Sequence, residues 1–226
     1  TTVPIDAASA YITETNAANL QADASVWKLN STLPFPINFH LSGAMTNGAI
    51  ASTATPANPY TMTVNDMFTL MPYENSLVVF RLNGQQLHTI LERAYRNYWY
   101  YKYGGSGHGG YSYYTTCMID INAGGIITYT NHDPNVYTTT VDHVGGLSFG
   151  GVPVDLLSAT TYYTVSTVNY IAAGSCNFND GGTTIWPLNQ IVADTQNYVR
   201  DVVIQYIPTL TQPIAPGIEN RIRGIP

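Results

Sequence analysis

Charge is scarce in this chain. Eight residues are Lys or Arg and 14 are Asp or Glu, so charged residues make up 10% of the 226, against about 25% in an average soluble protein. The formal net charge is −6. So few cations cannot build the basic stripe that grips a nucleic-acid backbone. A net anion is also repelled by an anionic membrane surface. Neither nucleic acid nor membrane is an expected partner. No apolar run approaches the ~20 residues that span a bilayer. No P-loop, dinucleotide fingerprint or zinc-finger spacing occurs. Cysteine is limited to Cys117 and Cys176.

Hydrophobic residues supply 45% of the chain, which excludes a disordered protein and allows a sizeable core. There is no internal repeat and no Pro- or Gly-rich linker, so residues 1–226 are expected to form a single domain. The chain starts at Thr1 and shows no signal peptide, which suggests a processed or fragmentary product. Asn30-Ser31-Thr32 is a glycosylation sequon. Low Lys, abundant Tyr and Thr, the sequon and an even pair of cysteines point to a secreted glycoprotein.

Three helices are legible. Residues 16–29 place Leu20, Ala24 and Trp27 on one face. Residues 84–98 align Leu87, Ile90, Leu91, Ala94, Tyr95 and Tyr98. Residues 195–207 align Val199, Val202, Val203 and Tyr206 before Pro208. Ile37–Leu41, Leu77–Leu82, Met118–Asn122 and Tyr162–Val168 read as strands. The lack of a regular βαβ cadence predicts an α+β fold, a mixed β-sheet with packed helices. Tyr98–Tyr114, rich in aromatics and Gly, reads as a loop. It could stack on a sugar or base, or tuck its own tyrosines against the domain.

Most signs of chemistry are weak. His132-Asp133 and Asp142-His143 pair an acid with an imidazole, but neighbours on a strand point to opposite faces, so no metal ligands are expected. Gly146-Leu147-Ser148-Phe149-Gly150 fits the nucleophile-elbow pattern, yet an extended segment follows where that motif needs a helix.

Five stretches, in order, carry more information. They are Thr13-Glu14-Thr15-Asn16 leading into Asn19-Leu20-Gln21-Ala22-Asp23-Ala24; Asn47-Gly48-Ala49-Ile50; Met71-Pro72-Tyr73-Glu74-Asn75; Asn169-Tyr170-Ile171-Ala172-Ala173-Gly174; and Pro216-Gly217-Ile218-Glu219-Asn220-Arg221-Ile222. Together they resemble the C-terminal, substrate-recognising domain of the 5'-nucleotidase / UDP-sugar hydrolase family, from about Val3 to Arg223. In that family the metals and the chemistry sit on a separate N-terminal domain. The resemblance therefore implies a 5'-nucleotidase C-terminal domain-like fold with no catalytic residue, metal or cofactor of its own. A divalent metal pair would belong to an N-terminal metallophosphoesterase domain or a separate catalytic chain.

The resemblance also nominates site residues. Tyr73 and Tyr170 match the two aromatics that sandwich a base, and Asn75 matches a position that offers an amide to the base edge. Asn47, in the Asn-Gly stretch, and Phe178, which ends Gly174-Ser175-Cys176-Asn177-Phe178, complete the ligand-binding set. The family's polar grip is eroded: its Arg after the Asn-Gly stretch is Ala51, and its ribose-binding Asp is Cys176. Tyr11-Ile12-Thr13 stands near the place of another Arg. A nucleoside or a sugar is thus a conceivable ligand and a tightly held polyphosphate is not. The same alignment brings Cys117 near the pocket and puts Cys176 in the eroded loop, which implies a disulfide between them; two free thiols are the alternative. The expected function is substrate recognition in a secreted 5'-nucleotidase-like protein, without turnover by this chain alone. A divergent, non-catalytic binder of glycans or other planar ligands is the alternative.

Overall fold

A computed structural model describes residues 1–43, 46, 48–104 and 117–226. In chain order its elements are β1 (Ile5–Asp6), α1 (Asn16–Thr32), β2 (Phe39–Ser42), β3 (Ala49–Ile50), α2 (Val64–Leu70), β4 (Ser76–Asn83), α3 (Gly84–Tyr103), β5 (Asp120–Ile121) and β6 (Gly125–Tyr129). There follow β7 (Val144–Phe149), β8 (Val152–Pro153), β9 (Tyr162–Val168), α4 (Asn169–Ala172), β10 (Asn179–Asp180), β11 (Thr183–Thr184), β12 (Ile191–Tyr198), α5 (Val199–Tyr206) and β13 (Ile222–Arg223). The fold is α+β, as the mixed pattern predicts.

The main sheet runs β12-β4-β9-β2-β5. Only β2 and β9 are parallel; the other neighbours are antiparallel. Leu77, Val78, Val79 and Phe80 of β4 are all buried, as expected of a strand covered on both faces. A second sheet, β13-β6-β7-β8, is antiparallel except for β13 against β6. Gly146–Phe149 lies within β7 and turns through Gly150-Gly151 into β8, a hairpin rather than a strand-to-helix elbow.

Local chemistry sets the helices. Thr15 caps α1, its Oγ1 accepting from the Ala18 amide. Asn83 and Gln86 form a reciprocal capping box at the start of α3. The predicted α3 stripe of Leu87, Ile90, Leu91, Ala94, Tyr95 and Tyr98 has no exposed surface. The helix outruns its predicted end because Tyr98 and Trp99 stay in register to be buried, and apolar burial outweighs the modest helix propensity of aromatics. Positions 105–114 of the predicted loop lie outside the described residues.

The helix predicted over 195–207 needs a larger correction. Residues through Tyr198 belong to β12, and α5 starts at Val199. Asp194 pairs with Val78 and Tyr198 with Ser76, so β4 captures this stretch as an edge strand. A register shift separates the two pairs, and Gln196 within it has φ +54°.

Cys117 and Cys176 form a disulfide across 59 residues of sequence, as the family resemblance implies. Buried Asn97 of α3 braces both ends, its Nδ2 donating to the carbonyls of Cys117 (3.0 Å) and Cys176 (2.9 Å). Replacing both cysteines by serine is expected to lower unfolding stability by about 4 kcal/mol, the chain-entropy value for a loop of this length. Urea melts of parent and double variant measure it; superimposable curves would show that the bridge contributes nothing.

Candidate functional site

Tyr73 and Tyr170 emerge at one end of the main sheet. Strands β4 and β9 are antiparallel neighbours, with Leu77 opposite Val168. The residues leading into β4 and those leaving β9 therefore lie together, and Asn169 Oδ1 ties the two by accepting from the Ser76 amide (3.2 Å). Tyr73 sits just before β4 and Tyr170 in the first turn of α4, just after β9. Nearby in sequence, Leu70, Met71, Val168 and Ile171 are buried, while Pro72, Glu74 and Asn169 beside the tyrosines are exposed. The two phenols point outward, 59% and 48% exposed. Among the described residues their rings do not touch one another. Arg200 stiffens the approach to Tyr73, its Nη1 donating to the Met71 carbonyl (3.1 Å) while its guanidinium lies 3.8 Å from the centre of the Phe68 ring.

Two further tyrosines join them. Tyr11 stacks on Tyr101 with centroids 5.3 Å apart and planes 11° from parallel. The Tyr11 phenol is pushed above its ordinary pKa, first by burial and then by the neighbouring phenols of Tyr101, Tyr73 and Tyr170. Four tyrosines from four parts of the chain thus share one region. Sequence reasoning reaches Tyr101 only within the Tyr98–Tyr114 segment read as a possible stacking loop, and does not nominate Tyr11. The available signal was an aromatic near the place where the family's arginine stands, which exchanges an anion grip for a stacking surface.

The other nominated residues are placed differently. Phe178 has no exposed surface, so it is a core residue and offers no face to a ligand. Its loop turns inward because the Ser175 amide donates to the Tyr170 carbonyl and the Phe178 amide to the Ser175 carbonyl. Gly174, at φ +95°, starts that turn; a Cβ there would come within 3.1 Å of Asn179 and Thr184. Asn75 is nearly buried, and its carbonyl accepts from the Val199 amide (2.9 Å). Its carboxamide makes no hydrogen bond among the described residues. Asn47 lies outside them. Asn30 is exposed near the end of α1, and its Oδ1 accepts from the Ile37 amide (2.8 Å).

Two of the stretches behind the resemblance turn out to be architectural, and they hold each other. Glu14 is buried, with Oε1 accepting from Asn19 Nδ2 and the Glu219 amide and Oε2 from the Arg221 amide, each at 2.7 Å. Arg221 returns the contact with a two-pronged bond to Asp23, both arms 2.8 Å. The first stretch and the last form a polar seam.

One titratable cluster unites residues that the sequence keeps apart. His88 and Glu92, four residues apart on α3, meet Asp142 from the segment before β7, each offering a ligating atom within 4.8 Å of the others. The Glu92 carboxyl is pushed up to about 7, mainly by burial and then by the facing Asp142 carboxylate, against the opposing pull of the His143 and Val144 amides. The sequence pairs Asp142 only with its neighbour His143, whose ring instead stacks on Tyr95 at 4.2 Å. The spacing of His88 and Glu92 on an amphipathic helix was the available signal. These three residues are the one such group among the described residues, too few to hold the metal pair of a phosphoesterase.

Comparison with known proteins places the fold. The chain matches the family model described as 5'-nucleotidase, C-terminal domain, over residues 1–180. No curated protein matches it. The 5'-nucleotidase precursor from Thermus thermophilus is similar with TM-score 0.69 and 20% identity, over 99% of this chain and 38% of that one. The NAD nucleotidase of Haemophilus influenzae is similar with TM-score 0.69 and 16% identity, over 100% of this chain and 37% of that one. A putative 5'-nucleotidase from Staphylococcus aureus, solved in complex with alpha-ketoglutarate, gives TM-score 0.60 and 15% identity, over 99% and 40%. The chain thus spans two-fifths or less of the length of these proteins. Among the described residues no helix is long and apolar enough to cross a membrane. Since the family model covers most of its length and the folds agree, this chain belongs to the family of 5'-nucleotidase C-terminal domains.

Proposed function

We propose that this domain recognises a nucleoside by stacking its base between Tyr73 and Tyr170, as part of a secreted 5'-nucleotidase-like protein. The observation that carries this reading is the shared position of the two exposed phenols beyond the paired ends of β4 and β9. A flat heterocycle held between the two rings would gain about 1 kcal/mol from offset stacking beyond area burial. Tyr11 and Tyr101 extend the aromatic surface. The change from Arg to Ala51 removes an anion-gripping group, so the base is expected to dominate over the phosphates.

Hydrolysis of a nucleotide phosphoester is assigned to a metallophosphoesterase domain, in the same polypeptide or as a separate chain, which would supply the metal pair and the nucleophilic water. Residues 1–226 would then act as one domain that presents substrate to it. The disulfide, the low Lys content and the exposed Asn30 sequon support an extracytoplasmic, glycosylated protein.

Fluorescence titration with adenosine, AMP and simple sugars tests the reading. Adenosine is expected to quench, and Tyr73→Ala and Tyr170→Ala are each expected to weaken its binding roughly tenfold, or about 1.4 kcal/mol. AMP should bind no more tightly than adenosine and release no phosphate when a divalent metal is added. Quenching by sugars alone would favour the glycan-binding alternative, and a flat response to every ligand would remove the clamp.

A further inference from the structure

We propose that His88, Glu92 and Asp142 bind a single divalent transition-metal ion of the zinc class, at a site separate from the tyrosine cluster. The three residues are more than an acidic patch. They offer one imidazole nitrogen and two carboxylate oxygens, all within 4.8 Å of one another, and His88 Nε2 already lies 2.9 Å from Asp142 Oδ2. Ligands at about 2.0–2.2 Å around a tetrahedral ion lie roughly 3.4 Å apart. Small rotations of the partly exposed His88 and the exposed Asp142 close the remaining difference.

The neighbouring backbone prepares the set. Glu92 Oε1 is committed to the amides of His143 (2.6 Å) and Val144 (2.7 Å). Asp142 Oδ1 is committed to the Val144 amide (2.9 Å). Each carboxylate is thus oriented through one oxygen; the other oxygen of Asp142 faces His88 Nε2, and Glu92 Oε2 lies 3.4 Å from His143 Nδ1 at the cluster's edge. Outer bonds of this kind orient metal ligands in known sites. The two carboxyl groups also face each other, an arrangement that repels unless a shared proton or a cation lies between them. An ion would supply that charge.

The environment suits an open site. The trio lines a cavity of about 460 Å³ that is also bordered by Arg93 and Tyr137, with room for water or an anion at a fourth position. A calcium ion would want six to eight oxygen ligands, more than this cluster offers. A mixed nitrogen and oxygen set of three fits zinc and its neighbours.

The experiment uses the full chain after dialysis against chelator. Cobalt(II) is titrated in while its visible d–d absorption is recorded, and zinc(II) is then added to displace it. The expected result is one ion per chain, with a melting temperature that rises as metal is added. His88→Gln and Asp142→Asn are each expected to weaken cobalt binding at least tenfold. His132→Gln, at an imidazole outside the cluster, should leave it unchanged. Both cluster variants lie at partly or fully exposed positions, and their metal-free melting temperatures report whether they fold like the parent. Absence of a protein-bound cobalt spectrum in the parent would overturn the proposal. So would undiminished cobalt binding in a normally melting His88→Gln chain. Neither outcome bears on the tyrosine clamp, which is read by adenosine.

Discussion

Arg221→Ala is expected to destabilise the protein by roughly 3–5 kcal/mol, the usual cost of removing one partner from a buried ion pair. Arg221 is only 3% exposed. Its guanidinium bonds both oxygens of Asp23, the Glu219 carboxylate and the Ile121 carbonyl. Beside it lie Glu14 and Asp120, and Asp120 is buried with both oxygens lacking a hydrogen-bond partner among the described residues. Burial pushes the Asp120 carboxyl well above its ordinary pKa, with Glu14 adding to the rise and Arg221 opposing it. Removing the cation therefore strands several acids at once. The backbone bond from the Ile127 amide to the carbonyl of residue 221, just before β13, is kept in the alanine variant, so the loss reads the side chain. Arg221→Lys should recover part of the charge but not the forked geometry, and should fall between parent and alanine variant. Urea unfolding at pH 7 reads all three. A loss below about 1 kcal/mol for Arg221→Ala would mean that the seam behaves energetically like a surface pair.

The second large effect concerns acid. His40 on β2 has no exposed surface; its Nδ1 lies 2.9 Å from Ser166 Oγ, while Nε2 has no partner among the described residues. Burial lowers its pKa to about 3, against about 6.5 in an unfolded chain. Between those values the unfolded chain binds the proton and the folded one does not. Stability is therefore kept above about pH 7 and falls as the pH drops, by up to 1.36 kcal/mol per unit, or about 3 kcal/mol between pH 7 and 4. Asp120 acts with the opposite sign, because a carboxyl with a raised folded pKa favours the folded state as acid is added. The total pH profile mixes the two, so the informative quantity is the difference from His40→Gln, whose amide can still meet Ser166. Urea midpoints for both chains at pH 7, 5.5 and 4 should diverge steadily in favour of the variant in acid. Parallel profiles would show that His40 does not govern the response.

Much of the fold was legible because local and tertiary signals agreed. Tyr162–Val168 is a strand at the predicted bounds, and the α3 stripe is buried as periodicity requires. The failures came where partners distant in sequence decide. Val199, Val202 and Val203 do face the core from a helix, but Asp194–Tyr198 was claimed by β4, more than a hundred residues upstream. The α2 helix was missed because seven residues carry too little periodicity; its mark is the Thr63–Asp66 capping box. At the site, the tyrosine positions came from motif order, whereas the burial of Phe178 depends on a turn that no motif shows. Asp142 could not be joined to His88 and Glu92 by spacing at all, since the pairing of β6 with β7 brings it there.

The seam between Glu14 and Arg221 also bears on the birth of the molecule. Its partners are separated by 207 positions. On the ribosome, Glu14 and Asp23 emerge early and stay hydrated while nearly all the intervening polypeptide is made. Only when Arg221 has cleared the exit tunnel can the last stretch lie down beside the first helix. Ring closure over so long a span is slow, and the final tightening of this domain therefore waits for its last stretch.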